Sequence, residues 1–231
     1  MFKTATKDIV AREGNLATFL GKPWSDEGGS GFHLHFSVVD ADGNNLMHDG
    51  AELSATANQL IAGIVHNAPA LAAFTNPTVN AYKRLGPDTL APYRANWGYD
   101  NRSAMLRVPP ERGGGTRLEV RLGDGAANPY LLIAAILAAG LDGIRRDLPV
   151  PDAAEGWAYQ NEGAAVLPMT LTEALDALEA NETMAEILGA ELVDLFAVMK
   201  RDEVARYEEA TADPTTRDVT QWELDEYISD Y

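Results

Sequence analysis

Two short stretches alternate between apolar and polar residues with a period of two. They are Phe32-His33-Leu34-His35-Phe36-Ser37-Val38 and Arg117-Leu118-Glu119-Val120-Arg121-Leu122. A β-strand sends successive side chains to opposite faces. In the first stretch His33, His35 and Ser37 therefore share one face, and Phe32, Leu34, Phe36 and Val38 must meet a core. In the second, Arg117, Glu119 and Arg121 oppose Leu118, Val120 and Leu122. Taken alone, the imidazole row reads as a half-exposed strand and the Arg-Glu-Arg row as a solvated ladder. Set side by side, the two rows make a metal-and-phosphate site. Glu119 and His33 offer the mixed carboxylate and imidazole ligation that suits Mg²⁺ or Mn²⁺, with water in the remaining positions. Arg117, Arg121 and His35 can then hold anionic oxygens. Arg84, Arg102 and Arg107 bring further guanidinium forks that match carboxylate and phosphate oxygens.

The bulk properties narrow the partners. A chain of 231 residues suits one domain with a sizeable core. Its 35 acidic residues against 18 basic ones leave a net charge of −17, which repels nucleic-acid backbones and anionic membranes. With no cysteine there is no disulfide framework and no thiolate chemistry, and a reducing, cytoplasmic setting is expected. No signal-like apolar run opens the chain. The longest apolar run, from Tyr130 to Leu141, is too short to span a bilayer and reads as a helix buried on nearly all sides.

Periodicity predicts a helix over 4–13 that stops at Gly14, and a strand over 15–20. A turn is expected at Asp40–Asn45, where Asp-Gly is the strong signal. Helices are expected over 52–66 and 69–74. The polar stretch from 75 to 101 is too long for an idle connector and reads as a functional loop. Strands follow over 103–108 and 116–122. Asn128 caps a helix whose first position is Pro129 and which runs to about Arg146. Thr170 and Glu173 form a capping box that opens a helix with Leu171, Leu175 and Leu178 on one face. Ala190–Glu209 and Gln221–Ile228 complete the helical part. The expected fold is α+β in a single domain, with sheet and site loops in 1–125 and mainly helices in 126–231.

Three motifs occur in order: GGSGFHLHFS, then NPTVNAYKRLGPDTLAPYRANWGYDNRSAMLRVP, then RLEVRLGDGAANPYLLIAAILAAGLDGI. Together with the helical tail they resemble the catalytic domain of the glutamine synthetase family, over essentially the whole chain. The resemblance implies an antiparallel curved sheet backed by helices. It also implies ATP with Mg²⁺ or Mn²⁺ as cofactors, and glutamate and an amine as substrates. By that resemblance His33 and Glu119 are metal ligands. His35, Ser37, Arg107 and Arg117 are nucleotide contacts. Gly29, Arg84 and Arg121 hold glutamate, and Arg102 steadies the transferring phosphoryl group. ATP would phosphorylate the γ-carboxylate of glutamate, and an amine would displace phosphate from the acyl phosphate. The family forms rings of subunits, a homo-oligomer.

Three departures shape the expectation. Leu90 stands where the family carries a flap glutamate that helps bind ammonium, so an organic amine is expected in preference to ammonia. Asp88 is a weaker substitute for that carboxylate. Gly28 replaces an asparagine, and Arg112 stands near the place of a usual lysine. The chain also starts after the family's N-terminal β-grasp domain and after the strands that bear the other metal's carboxylates. That weighs against ring formation and keeps a second class open: a non-catalytic nucleotide-binding or assembly domain.

Overall fold

The computed structural model describes residues 1–87 and 89–231. Helix α1 (Phe2–Arg12) ends two residues before Gly14, whose φ of +73° turns the chain. The strand expected over 15–20 does not form. Phe19 N–H and Thr18 Oγ1 instead donate to the Tyr231 carbonyl at 2.8 and 2.9 Å, so this segment is tied to the C-terminus rather than to a sheet.

Next come β1 (Leu34–Phe36), β2 (His48–Asp49), β3 (Glu52–Leu53), α2 (Ala55–His66) and α3 (Ala68–Thr75). A 3-10 helix over Asn80–Arg84 interrupts the long polar stretch, which ends in β4 (Trp97–Tyr99). β5 (Leu106–Val108) and β6 (Leu118–Val120) complete a four-stranded sheet in the order β1-β6-β5-β4. The strands are shorter than the alternating patterns that announce them. β1 pairs antiparallel with β6 and β5 antiparallel with β6, but β4 runs parallel to β5, so the sheet is mixed at that edge. Strands of three residues are short enough for residues 100–105 to carry the chain back without a crossover helix. Asp100, at φ +44°, makes the first turn.

The register sets the site. His35 lies opposite Glu119 on one side, and Arg107 lies opposite Glu119 on the other. Directly opposed residues of an antiparallel pair share a face. The reverse face carries Leu106, Val108, Leu118 and Val120, all buried.

Behind the sheet lie α2, α3, α4 (Pro129–Arg145) and α5 (Leu171–Glu179). Asn128 caps α4 by accepting from Tyr130 N–H at 2.9 Å. Gly63 of α2 and Gly143 of α4 meet where a Cβ on either would overlap the other helix's backbone. α4 is not buried all round. Leu132, Ala135, Ile136 and Ala139 pack inward, whereas Tyr130, Ile133, Leu137, Leu141 and Ile144 face outward. The neighbouring helices cover one side of it only.

The tail adds α6 (Glu182–Leu188), α7 (Ala190–Ala210) and α8 (Gln221–Tyr227). α5 buries Leu171, Leu175 and Leu178. Thr170 accepts from Glu173 N–H, but the Glu173 carboxylate takes Met169 N–H, so the box expected there is incomplete. The reciprocal box is at α8, between Thr220 and Glu223. Among the described residues no helix is long and apolar enough to cross a membrane.

Candidate active site

The polar face of the sheet centres on Glu119, whose side chain is 4% exposed. Its Oε2 accepts from Arg107 Nη1 at 2.7 Å, and its Oε1 accepts from Arg121 Nη1 at 2.9 Å. His33 Nδ1 stands 3.1 Å from Oε1 and His35 Nε2 3.6 Å from it. Arg117 Nε donates to His35 Nδ1 at 3.3 Å, and its Nη1 to Glu111 at 3.0 Å. Arg107 also grips Asp100. One carboxylate therefore joins residues from three strands.

Burial pushes the Glu119 carboxyl up, but the hydrogen bonds and charges of Arg107 and Arg121 outweigh it and hold its pKa below the ordinary value. Burial first, and then the Arg121 charge, push His33 down against the pull of Glu119. The two shifts run in the directions that favour an ionised carboxylate and a neutral imidazole.

A second layer lies at the end of β6. Arg84 is buried, with Nε donating to Asp124 at 3.3 Å and Nη2 to Asn76 Oδ1 and to the Leu122 and Gly123 carbonyls. Burial lowers the Arg84 pKa against the influence of Asp124 and raises that of Asp124 against the influence of Arg84. Gly29 lies on the Arg84 stem, where a Cβ would overlap Cγ and Cδ. Above Gly31, Arg84 Nη1 and His33 Nε2 converge within 3.6 Å of where a Cβ would stand. Ser37 shares the face of the two histidines and donates to the Thr116 carbonyl at 2.9 Å.

Of the residues singled out in the sequence, His33, His35, Arg107, Arg117, Glu119 and Arg121 form one contact network, with Arg84 and Gly29 beside it. Arg102 does not join it. It is exposed on the β4–β5 loop and lines an open cleft of 740 Å³ with Tyr99 and Trp157. Arg112 lies 5.5 Å from the Tyr99 ring centroid. Leu90 is 86% exposed; Asp88 lies outside the described residues.

Three of the carboxylates that face these arginines, Asp100, Glu111 and Asp124, were not singled out in the sequence. Arg84, Arg107, Arg117 and Arg121 meet Asp124, Asp100, Glu111 and Glu119, so the guanidiniums are balanced one for one. The Asp-Gly turn that follows β6 is the only sequence signal pointing to Asp124.

A divalent cation fits the donors present. Ligands on adjacent vertices of an octahedron with ~2.1 Å bonds stand ~3.0 Å apart. His33 Nδ1 and Glu119 Oε1, at 3.1 Å, have that spacing. Among the described residues no third His, Asp or Glu joins them, so substrate oxygens and water would complete the shell. Arg121 Nη1 would have to withdraw from Oε1. Because the arginines are already neutralised, a polyphosphate would draw its compensating charge from such cations.

The glutamine synthetase catalytic-domain family model matches residues 1–227. The glutamine synthetase of Halobacterium salinarum is 39% identical over 240 residues, taking in 100% of this chain and 51% of that protein. That of Thermus thermophilus is 42% identical over 240 residues, covering 100% and 52%. Among solved structures, GmaS without ligand superposes with a TM-score of 0.83 at 40% identity, covering 97% of this chain and 51% of that one. GmaS in complex with ADP gives the same score and identity, covering 97% and 52%. The chain spans about half the length of the curated relatives it matches.

Proposed function

The chain belongs to the glutamine synthetase family, and from that premise we propose that it carries the nucleotide-side half of an ATP-dependent ligase joining glutamate to an amine. The observation that carries this reading is the His33–Glu119 pair, spaced as an octahedral edge and flanked by Arg107 and Arg121. The ADP complex of GmaS supports a nucleotide at this fold.

In this reading a γ-carboxylate oxygen of glutamate attacks the γ-phosphorus of ATP, and ADP leaves. The amine nitrogen then attacks the acyl carbon, the C–O bond to phosphate breaks, and the nitrogen gives up a proton. The chemistry that Mg²⁺ or Mn²⁺ would supply when bound is neutralisation of phosphate charge. His33 and Glu119 would hold that ion. Arg107 and Arg117 bind the nucleotide phosphates, and His35 and Ser37 make the remaining nucleotide contacts. Arg84, Arg121 and the Gly29 backbone hold glutamate. Arg102 is assigned to the transferring phosphoryl group by its place in the family motif, where a guanidinium would favour the charge that builds on those oxygens. Water must be kept from the acyl phosphate, which it would hydrolyse.

Leu90 supports an organic amine as acceptor, because a leucine side chain neither stabilises ammonium nor takes its proton.

The test is phosphate release by the full-length protein with ATP, glutamate, Mg²⁺ and a panel of amines. An organic amine is expected to exceed ammonia; ammonia as the best acceptor would refute the assignment of acceptor. The balanced arginines and the two-residue donor set favour one alternative, a non-catalytic nucleotide-binding or assembly domain. Nucleotide binding without any amine-dependent release would support that alternative.

A further inference from the structure

The Arg84 side chain is fixed from the β6 side, by Asp124, Asn76 and two carbonyls. Its backbone is fixed from the opposite side, by the C-terminal segment. Arg217 Nη1 donates to the Tyr82 carbonyl at 3.1 Å, and Nη2 donates to the Lys83 carbonyl at 3.1 Å and to that of Leu85. These carbonyls lie at the C-terminal end of the 3-10 helix Asn80–Arg84, where a helix leaves acceptors unsatisfied and favours a cation. The same turn is anchored a second time. Glu223, fully buried at the start of α8, accepts from Lys83 Nζ and from Asn80 Nδ2. Neither contact belongs to the polar face of the sheet.

We propose that Arg217 is a positioning residue for the site. By clamping three carbonyls around Arg84 it sets where that guanidinium points, and it fixes the root of the segment leading to Leu90. The segment leaves through Gly86, where a Cβ would lie 3.4 Å from Arg217 Nη2, and returns at the Leu85–Ala91 bridge. A planar fork that reaches three acceptors is specific to arginine; an ammonium is a single point charge. Arg217 is itself exposed, so it can be removed without opening a core. The link to glutamate rests on the reading of Arg84 given above, whereas the clamp does not.

The test uses the full-length protein and three variants: Arg217→Ala, Arg217→Lys and, as control, Arg206→Ala. The control removes an ion pair to Glu226 of α8 at 2.8 Å and touches none of the three carbonyls. Hydrogen exchange reads the Leu85 amide, which donates to Tyr82 at 3.1 Å. Calorimetry reads glutamate and ADP separately. In Arg217→Ala the Leu85 amide is expected to exchange faster. Glutamate affinity should fall ~10-fold, the scale expected of a misplaced binding group, with ADP affinity changed less than about two-fold. Arg217→Lys should fall between, added guanidinium should restore Arg217→Ala, and Arg206→Ala should match the parent. Unchanged exchange at Leu85, or equal losses for both ligands, would overturn the proposal. If the parent itself binds no glutamate, the reading of Arg84 fails and the exchange result alone decides the clamp.

Discussion

Replacing Glu119 by glutamine removes one negative charge from between two guanidiniums whose side chains are each 11% exposed. Arg107 keeps a partner in Asp100, but Arg121 does not. Among the described residues the other contact of Arg121 is His33 at 3.4 Å, and its Nε is already buried without an acceptor. A glutamine can offer its oxygen to one arginine only, and it turns an N–H donor toward the other. One charge-assisted hydrogen bond, worth about 1.5–3 kcal/mol, is then lost outright. A guanidinium left nearly buried without a partner adds to that, and losing one member of a buried pair costs about 3–5 kcal/mol in full burial. The partial exposure of this cluster favours the low end, ~3 kcal/mol. For a domain of this size that lowers the melting temperature by roughly 6–12 °C. Thermal unfolding followed by circular dichroism reads the shift. Adding Arg121→Met removes the stranded charge and should recover much of the loss, a non-additivity that marks direct coupling. A drop of less than about 2 °C in Glu119→Gln, or strictly additive losses, would refute the claim that one carboxylate holds the sheet's cationic face together.

Three further outcomes follow from the same geometry. Leu90→Glu should shift acceptor preference toward ammonia, read as the ratio of kcat/KM for ammonia to that for the best organic amine; an unchanged ratio would separate Leu90 from acceptor choice. Gly143→Ala places a Cβ against the Gln59 carbonyl and forces α2 from α4, costing about 1–3 kcal/mol by urea unfolding. Burial and the charges of Glu223 and Asp213 raise the Tyr207 phenol from 10.0 to about 12. Because the folded pKa lies above the unfolded one, its contribution to stability is present below pH 10 and lost on the way to about 12. Tyr207→Phe should weaken that alkaline loss in a pH series of unfolding curves.

The alternating patterns carried most of what the sequence could reveal about the site. His33 and His35 are on one face because a strand has period two, and Glu119 is on the matching face for the same reason. The register that sets Glu119 between His35 and Arg107 was not legible, since it depends on hydrogen bonding between segments far apart in sequence. The carboxylates facing the arginines were hidden for a related reason: Asp100, Glu111 and Asp124 look like ordinary surface acids until the chain brings them back. α4 shows the limit of periodicity. Its residues are apolar on every side, and only the packing of its neighbours shows that Tyr130 and Leu137 face outward. The segment 15–20 had a strand's composition but no edge to join, and the C-terminal carbonyl took its donors instead.

The proposed ligation requires that phosphate be transferred to the γ-carboxylate of glutamate. Glutamate carrying isotopically labelled oxygen in that carboxylate, turned over by the full-length protein with ATP and its best amine, decides this by mass spectrometry of the released phosphate. One labelled oxygen in each phosphate is the predicted result. Phosphate released at the amine-dependent rate without label would contradict the account.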